Sequence, residues 1–565
     1  MKLLVATLLA VVALASGNVL KPKGSFELLI LHNNDMHAHF EQSSQRSGTC
    51  TNDDREAGKC YGGFPRVAHV VKEARAAALN HTGPPVLYLN AGDTYTGTAW
   101  FTIYKWKIAA EFVNALQPDA VSLGNHEFDQ YVEGVVPFIQ NLTAPVLAAN
   151  LVLDKVPSLQ NLKNLKKSII IEIDKVKIGI IGYLTPETKT LAPGNDVEYE
   201  DEIVALRREV QKLKEQNVNI VIALGHSGYE RDIEIAESVE GLDIVVGGHT
   251  HTFLSNKKNI SEVPETVGGD YPTVKVQANG RKVRVVQAYC NNKYLGRLHL
   301  VFDSNGEITH CDGAPILLNK DIPEDDDLVH MLEAHSDEMN KLIKVVVGNT
   351  SVNLEQSMCR FSECNLGNFV ADVILNYTRE EHHDVDIAIV QGGDIRSPIY
   401  QEGGFPFNIT LGDWLNVLPY TGTLHILTMN GTVLKEALEH SVSEWSEKKG
   451  KFLQVSGIEV DYDLARPVGS RVVQAKAVCS NCGHAMRVIN DDDEYKVIMP
   501  AFIANQNDGY KIFANLPKTV LPYNELHCAV EYSKKYSPIY KIVERRINLH
   551  NTDKAKEVEN SQVKQ

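Results

Sequence analysis

Short runs rich in Val, Ile and Leu recur between residues 26 and about 302, separated by stretches with helical patterning. The runs cover residues 28–32, 86–90, 120–123, 146–149, 178–181, 220–224 and 244–246. Brief, nearly continuous apolar segments of this kind suit strands buried on both faces. Residues 66–79 and 202–216 read as helices between them. The alternation predicts an α/β domain with a layered sheet, closed by strands near 283–288 and 298–302. A polar cluster trails most of these runs. Asp35-Met36-His37 follows the first, and Gly92-Asp93 the second. Gly124-Asn125-His126-Glu127-Phe128-Asp129 follows the third, while Gly225-His226 and Gly247-Gly248-His249-Thr250-His251 close the last two.

Strand ends in an α/β sheet point to one rim, so distant clusters can converge there. Carboxylate, amide and imidazole donors together suit two divalent ions sharing a bridging carboxylate. Asp35 and His37 can reach one ion across a tight turn, and Asp93 is placed to bridge. Asn125 offers a neutral amide oxygen. His226 and His249 offer imidazoles for the second ion, and His251 one for the first. Singly these are weak signals, because an isolated Asp-x-His is usually a loop and Gly-Asn-His a capped turn. In this order, each behind an apolar run, they point to a metal-dependent phosphoester hydrolase.

At 565 residues the chain exceeds one core and predicts two large domains or three small ones. A formal net charge of −16 argues against a nucleic-acid or anionic-membrane binder. A phosphate substrate would then need a locally positive site. Residues 1–17 read as a secretory signal: Lys2, an apolar core from Leu3 to Ala15, and small residues at cleavage spacing. No later segment reads as transmembrane, and the end of the chain lacks the apolar tail of a glycolipid anchor. A freely secreted protein is expected.

In an exported chain, the close pairs Cys50/Cys60, Cys359/Cys364 and Cys479/Cys482 read as local disulfides. Cys290 and Cys311 flank an apparent hairpin and are expected to pair, leaving Cys528 free. Glycan acceptor sequons begin at Asn80, Asn141, Asn259, Asn349, Asn376, Asn408 and Asn430. The charged stretch at 321–344 reads as an inter-domain linker helix. A second α/β pattern runs over 345–549, and 550–565 reads as a disordered tail.

The five clusters resemble those of the calcineurin-like metallophosphoesterases, and within them the 5'-nucleotidase/apyrase family. The likeness spans roughly residues 26–547. It implies a four-layer α/β/β/α metallophosphoesterase domain over 25–320 and a C-terminal 5'-nucleotidase substrate-binding domain. It also implies that Asp35, His37, Asp93 and His251 hold one ion, and that Asp93, Asn125, His226 and His249 hold the other. Some relatives replace the last residue of the first set with Asn or Gln. The donors admit zinc, manganese, magnesium or calcium, zinc foremost. In this family the residue matching His126 pairs with the carboxylate matching Asp129, giving a cation that stabilises charge on the phosphate.

The resemblance also singles out residues of the second half. Arg360 lies inside the short loop between Cys359 and Cys364, and Arg396 follows a glycine turn in Gln391-Gly392-Gly393-Asp394-Ile395-Arg396. Paired guanidiniums suit phosphate contacts. Tyr420 and Phe502 match aromatics that clamp a nucleobase, and Asp508 matches the acid that binds the ribose hydroxyls. Many AMP-cleaving relatives carry Asn-Gly-Gly-Gly where this chain has Gln391 to Asp394. A Gln at the first position looks like the secreted apyrases of blood-feeding arthropods. Gln391 is expected near the base, and Asp394 to weaken phosphate binding beside Arg396.

Together these features favour a secreted apyrase that converts ATP and ADP to AMP and phosphate and so counters host platelet aggregation. The alternative within the class is a 5'-nucleotidase converting AMP to adenosine. The alternative outside it is a catalytically silent binder of nucleotides or of a platelet receptor. Neither nucleic acid nor a membrane anchor is expected, and oligomeric state is not readable.

Overall fold

The computed structural model describes residues 25–192, 195–257, 265–420, 422–479 and 485–563. The signal-like segment 1–17, Asn259 and Cys482 lie outside the described residues.

The apolar runs form two stacked sheets. One has eight strands, with Phe26–Asn33 paired in parallel to Val86–Asn90 and antiparallel to Tyr294–Phe302. Ala120–Ser122 and Val146–Leu147 extend it in parallel, and Ile308–Gly313 forms one edge. The other has six strands, with Val176–Leu184, Ile220–His226 and Ile244–Val246 parallel at its centre. Side chains from both sheets, among them Leu28, Ile30, Leu89, Ile178, Ile222 and Val246, share one buried core between them. Each such side chain contributes about 1.5–3 kcal/mol on burial.

Helices cover the outer faces. Phe64–Leu79, Trp106–Leu116 and Tyr131–Asn141 pack on the first sheet. Glu202–Glu215 and Tyr229–Ser238 pack on the second. The layering is therefore α/β/β/α. The sequence explains the helix ends: Asp201 caps Glu202–Glu215 by accepting from the Val204 amide at 3.1 Å, and Lys212 and Lys214 sit at the opposite end of the dipole.

Asp326–Ile343 leads into the second half, which is built around a five-stranded sheet centred on Glu494–Pro500. A four-stranded sheet lies beside it, and Asn365–Thr378 and Glu525–Tyr536 pack together. The halves touch at several places. Asn416 accepts from the Ala99 amide at 3.2 Å, and Lys449 pairs with Glu187 at 3.0 Å. Arg46, on the arm closed by the Cys50–Cys60 disulfide, pairs with Glu355 at 3.0 Å.

Two expectations fail. The expected disordered tail 550–565 is not irregular in its described part, for Ala555–Val563 is helical. Ala555 is fully buried, and Glu559 meets Arg471 at 2.7 Å, so a polar segment is held by a single well-partnered acid. Cys290 and Cys311 are both free thiols. Cys311 lies mid-strand opposite Leu300, whereas Cys290 sits in a buried turn whose neighbour Asn291 donates to the Asp35 carbonyl. Cys50–Cys60 and Cys359–Cys364 are bonded.

Candidate active site

The two sheets bring their parallel strands to a common rim, and the polar clusters sit on it. Asn33 and Asn90 are register partners at neighbouring strand ends, so Asp35 and Asp93 lie side by side. His226 ends its own strand against Leu184. Asp35, His37, Asp93, His249 and His251 all adopt left-handed backbone, with φ of 49°, 47°, 55°, 81° and 52°. Asp and His tolerate this region better than most residues, but strain concentrated here marks a site whose loops are held by their surroundings. Gly124 shows the tightness, since a Cβ there would lie 2.1 Å from Asp93 Oδ1.

Glu127 holds the loops. It is buried, and it accepts from the amides of Asp93 at 3.0 Å, Thr94 at 2.7 Å and Gly124 at 2.6 Å. Burial and the neighbouring Asp93 push its carboxyl up to about 7. Sequence reading gives Glu127 no role. The one hint is a glutamate inside a motif otherwise assigned to ligands, next to glycine turns rich in free amides.

The ring nitrogens are oriented. His37 Nδ1 faces the Thr96 carbonyl at 2.9 Å, and His226 Nδ1 faces that of Ala91 at 2.7 Å. Each carbonyl accepts from a protonated Nδ1 and turns Nε2 into the cluster, the orientation metal-binding imidazoles use. His37 Nε2 lies 3.0 Å from His251 Nε2, and His251 Nε2 lies 3.2 Å from Asp35 Oδ1. His226 Nε2 lies 2.9 Å from Asp93 Oδ2 and 3.6 Å from Asp35 Oδ1. Potential ligand atoms converge in three overlapping groups at this rim, Asp35/His37/His251, His37/Asp93/His126 and Asp93/His226/His249.

These atoms call for positive charge. Asn125 Oδ1 is buried with no hydrogen-bond partner, and Asp35 Oδ1 faces only the imidazole nitrogens of His251 and His226; such atoms are costly unless something else satisfies them. Burial alone would lower the His226 pKa, yet Asp93 and Asp35 push it up to about 10. Burial, with His226 beside it, pushes His249 down to about 3, so that ring is neutral and free to ligate. The donor set fits a pair of divalent cations. His126 is placed differently: its Nδ1 lies 2.7 Å from Asp129 Oδ2, and its backbone amide donates to Asp93 Oδ1 at 2.9 Å. Burial opposes its charge, but Asp129 and Asp93 raise its pKa overall.

The second half supplies the facing wall. Arg360 sits in the disulfide loop, whose Cys359 carbonyl lies against the Gly392 backbone; a Cβ on Gly392 would meet it at 2.1 Å. That contact docks Arg360 beside the turn carrying Arg396. Arg396 Nη2 reaches to 3.3 Å from His37 Nε2. Burial, with Arg396 beside it, pushes Arg360 down to about 10. Among the described residues, no carboxylate lies within ion-pairing distance of either guanidinium. Tyr420 stacks against His126 with ring centroids 6.2 Å apart. Phe502 lies half-buried on the short helix Ala501–Ala504 and makes no ring contact with Tyr420 among the described residues. Asp508 is close enough for Arg360 to act on its charge, but burial dominates and lifts it to about 6. Gln391 is buried at a strand end with Oε1 unpartnered. Burial and Asp508 push Asp394 up to about 7, so the charge expected to oppose phosphate beside Arg396 is only partly present near neutrality.

Residues 28–253 match the calcineurin-like phosphoesterase family model, and residues 346–515 match the 5'-nucleotidase C-terminal domain model. The chain is 41% identical to Protein 5NUC of Lutzomyia longipalpis over 95% of each chain. It is also 41% identical to the 5'-nucleotidase of Homo sapiens, over 96% of this chain and 94% of that one. Among solved structures, the 5'-nucleotidase precursor of Thermus thermophilus superposes with a TM-score of 0.84 at 30% identity, over 93% of this chain and 100% of that one. The calcineurin-like fold implies a dinuclear divalent-metal site, and the 5'-nucleotidase family implies a nucleotide substrate. This chain belongs to the 5'-nucleotidase family of metal-dependent nucleotide hydrolases.

Proposed function

We propose that the protein is an exported 5'-nucleotidase that hydrolyses nucleoside 5'-monophosphates, AMP foremost, to nucleoside and phosphate. The observation that carries this reading is the guanidinium pair Arg360/Arg396, which has no carboxylate partner among the described residues and touches the His37 end of the ligand cluster. Half-buried cations without an anion are costly, and a phosphoryl group spanning the two halves satisfies them. Preference for a monophosphate is supported by the stacking of Tyr420 on His126, which sets the nucleoside wall one ring away from the reacting end. The relatives named 5'-nucleotidase point the same way.

Asp35, His37, Asp93 and His251 would hold one ion, and Asp93, Asn125, His226 and His249 the other. When bound, such a pair activates water and neutralises phosphoryl oxygens. The chain's own groups do the rest. His126, kept cationic by Asp129, donates to a phosphoryl oxygen as its charge grows. Arg360 and Arg396 grip the phosphate, Tyr420 and Phe502 hold the base, and Asp508 accepts from the ribose hydroxyls. Gln391 places an amide near the base. Export is supported by the bonded pairs Cys50–Cys60 and Cys359–Cys364, which suit an oxidising compartment.

The apyrase reading rests on Gln391 and on the expected lack of an anchor signal, and Gln391 sits in the nucleoside-binding half rather than beside the metal ligands. Phosphate release from AMP, ADP and ATP by one preparation tests the choice. kcat/KM for AMP is expected to exceed that for ADP by at least about tenfold, roughly 1.4 kcal/mol at the transition state. The reverse order would restore ADP removal, and with it the platelet role. Biological activity that survives both chelation and Asp93→Ala would favour a binding protein.

A further inference from the structure

We propose that His299, His310 and Asp312 form a separate surface site for one borderline divalent transition ion, such as zinc or copper(II). The site is built by strand register. His299, on Tyr294–Phe302, pairs directly with Asp312 on the edge strand Ile308–Gly313. His310 stands two residues before Asp312, and alternate residues of a strand share a face. The three side chains therefore project together from the outer side of an antiparallel hairpin whose ladder holds their spacing.

His299 Nδ1 and His310 Nε2 each lie 3.0 Å from Asp312 Oδ2. The three potential ligand atoms all lie within 4.8 Å of one another. At zinc–ligand lengths of about 2.0–2.2 Å, the edges of a tetrahedral shell are about 3.3–3.6 Å, so small rotations accommodate an ion. Two imidazoles and one carboxylate select zinc, copper(II) or nickel over calcium or magnesium. Arg297 Nη1 lies 3.8 Å from the other carboxylate oxygen, Asp312 Oδ1. It leaves Oδ2 to the imidazoles and tempers affinity through its positive charge. His310 is 62% and Asp312 49% exposed, so water can complete the shell. The site is independent of the dinuclear centre. His299 pairs with Leu29, which lies roughly 13 Å along the strand from the rim residue Asn33.

An ion here would pin the edge strand of the eight-stranded sheet to its neighbour. The test uses the full-length protein and its exposed variants His310→Ala and Asp312→Asn. Zinc content after equilibration in buffered zinc is expected to fall by one equivalent per chain in each variant, with hydrolysis of the nucleotide unchanged. Copper(II) added to wild type is expected to show nitrogen coupling from two imidazoles in its electron paramagnetic resonance spectrum, reduced in His310→Ala. Equal zinc content in all three proteins, or an identical copper spectrum, would overturn the site. Loss of hydrolysis together with the missing ion would overturn its separateness.

Discussion

Asp35, Asp93 and His226 stand at or just beyond the ends of parallel strands, whereas Arg360 rides a disulfide loop and Tyr420 follows the helix Leu411–Val417. The rim residues are spaced by a hydrogen-bonded ladder and braced by Glu127. The facing residues are spaced by docking: a cystine loop on a glycine backbone, and a helix end against Thr102, whose hydroxyl donates to the Pro419 carbonyl at 3.1 Å. On the proposed reading, chemistry falls to the half spaced by the ladder, and recognition falls to the half spaced by docking. Changes at the rim should therefore act on kcat, and changes on the facing wall on KM.

The largest effect is expected at the shared carboxylate. Asp93→Ala should lower kcat/KM by more than about 1000-fold, roughly 4 kcal/mol, while nucleoside binding measured by calorimetry persists. Loss of both would mean that the halves are not separable. Next comes His126→Gln, expected to lower kcat by about 100- to 1000-fold with KM little changed. A KM effect of comparable size would move His126 to the recognition side.

How far the sequence speaks follows the same division. Ligand clusters are legible because each trails an apolar run within a few residues, and parallel pairing does the gathering. The arginines and Tyr420 carry no local signal and are recognisable only by resemblance. Glu127 escapes notice because its role is to accept from backbone amides of its own loop and of the loop after the neighbouring strand, which no side-chain pattern announces. The helix Ala555–Val563 escapes because its polar composition hides one buried alanine and one acid aimed at Arg471. Cys290 and Cys311 mislead because flanking a hairpin says nothing about strand register.

On the wall, Tyr420→Ala should raise KM by about 5- to 150-fold, the equivalent of roughly 1–3 kcal/mol of base stacking. An unchanged KM would remove the residue from the clamp. The smallest expected effect is a pH dependence. Burial raises the Asp508 carboxyl to about 6, above the ordinary carboxylate range. The ionised acceptor is therefore present above that pH and lost as pH falls through it, so KM should rise below about pH 6. Asp508→Asn should have a high, flat KM; a profile identical to wild type would assign the titration elsewhere.

The most direct measurement is anomalous scattering from crystals grown with manganese. Two peaks about 3.5–4 Å apart, with Asp93 touching both, are the expected result. A single peak, or two peaks with Asp93 bound to neither, would contradict a paired-cation centre at this rim.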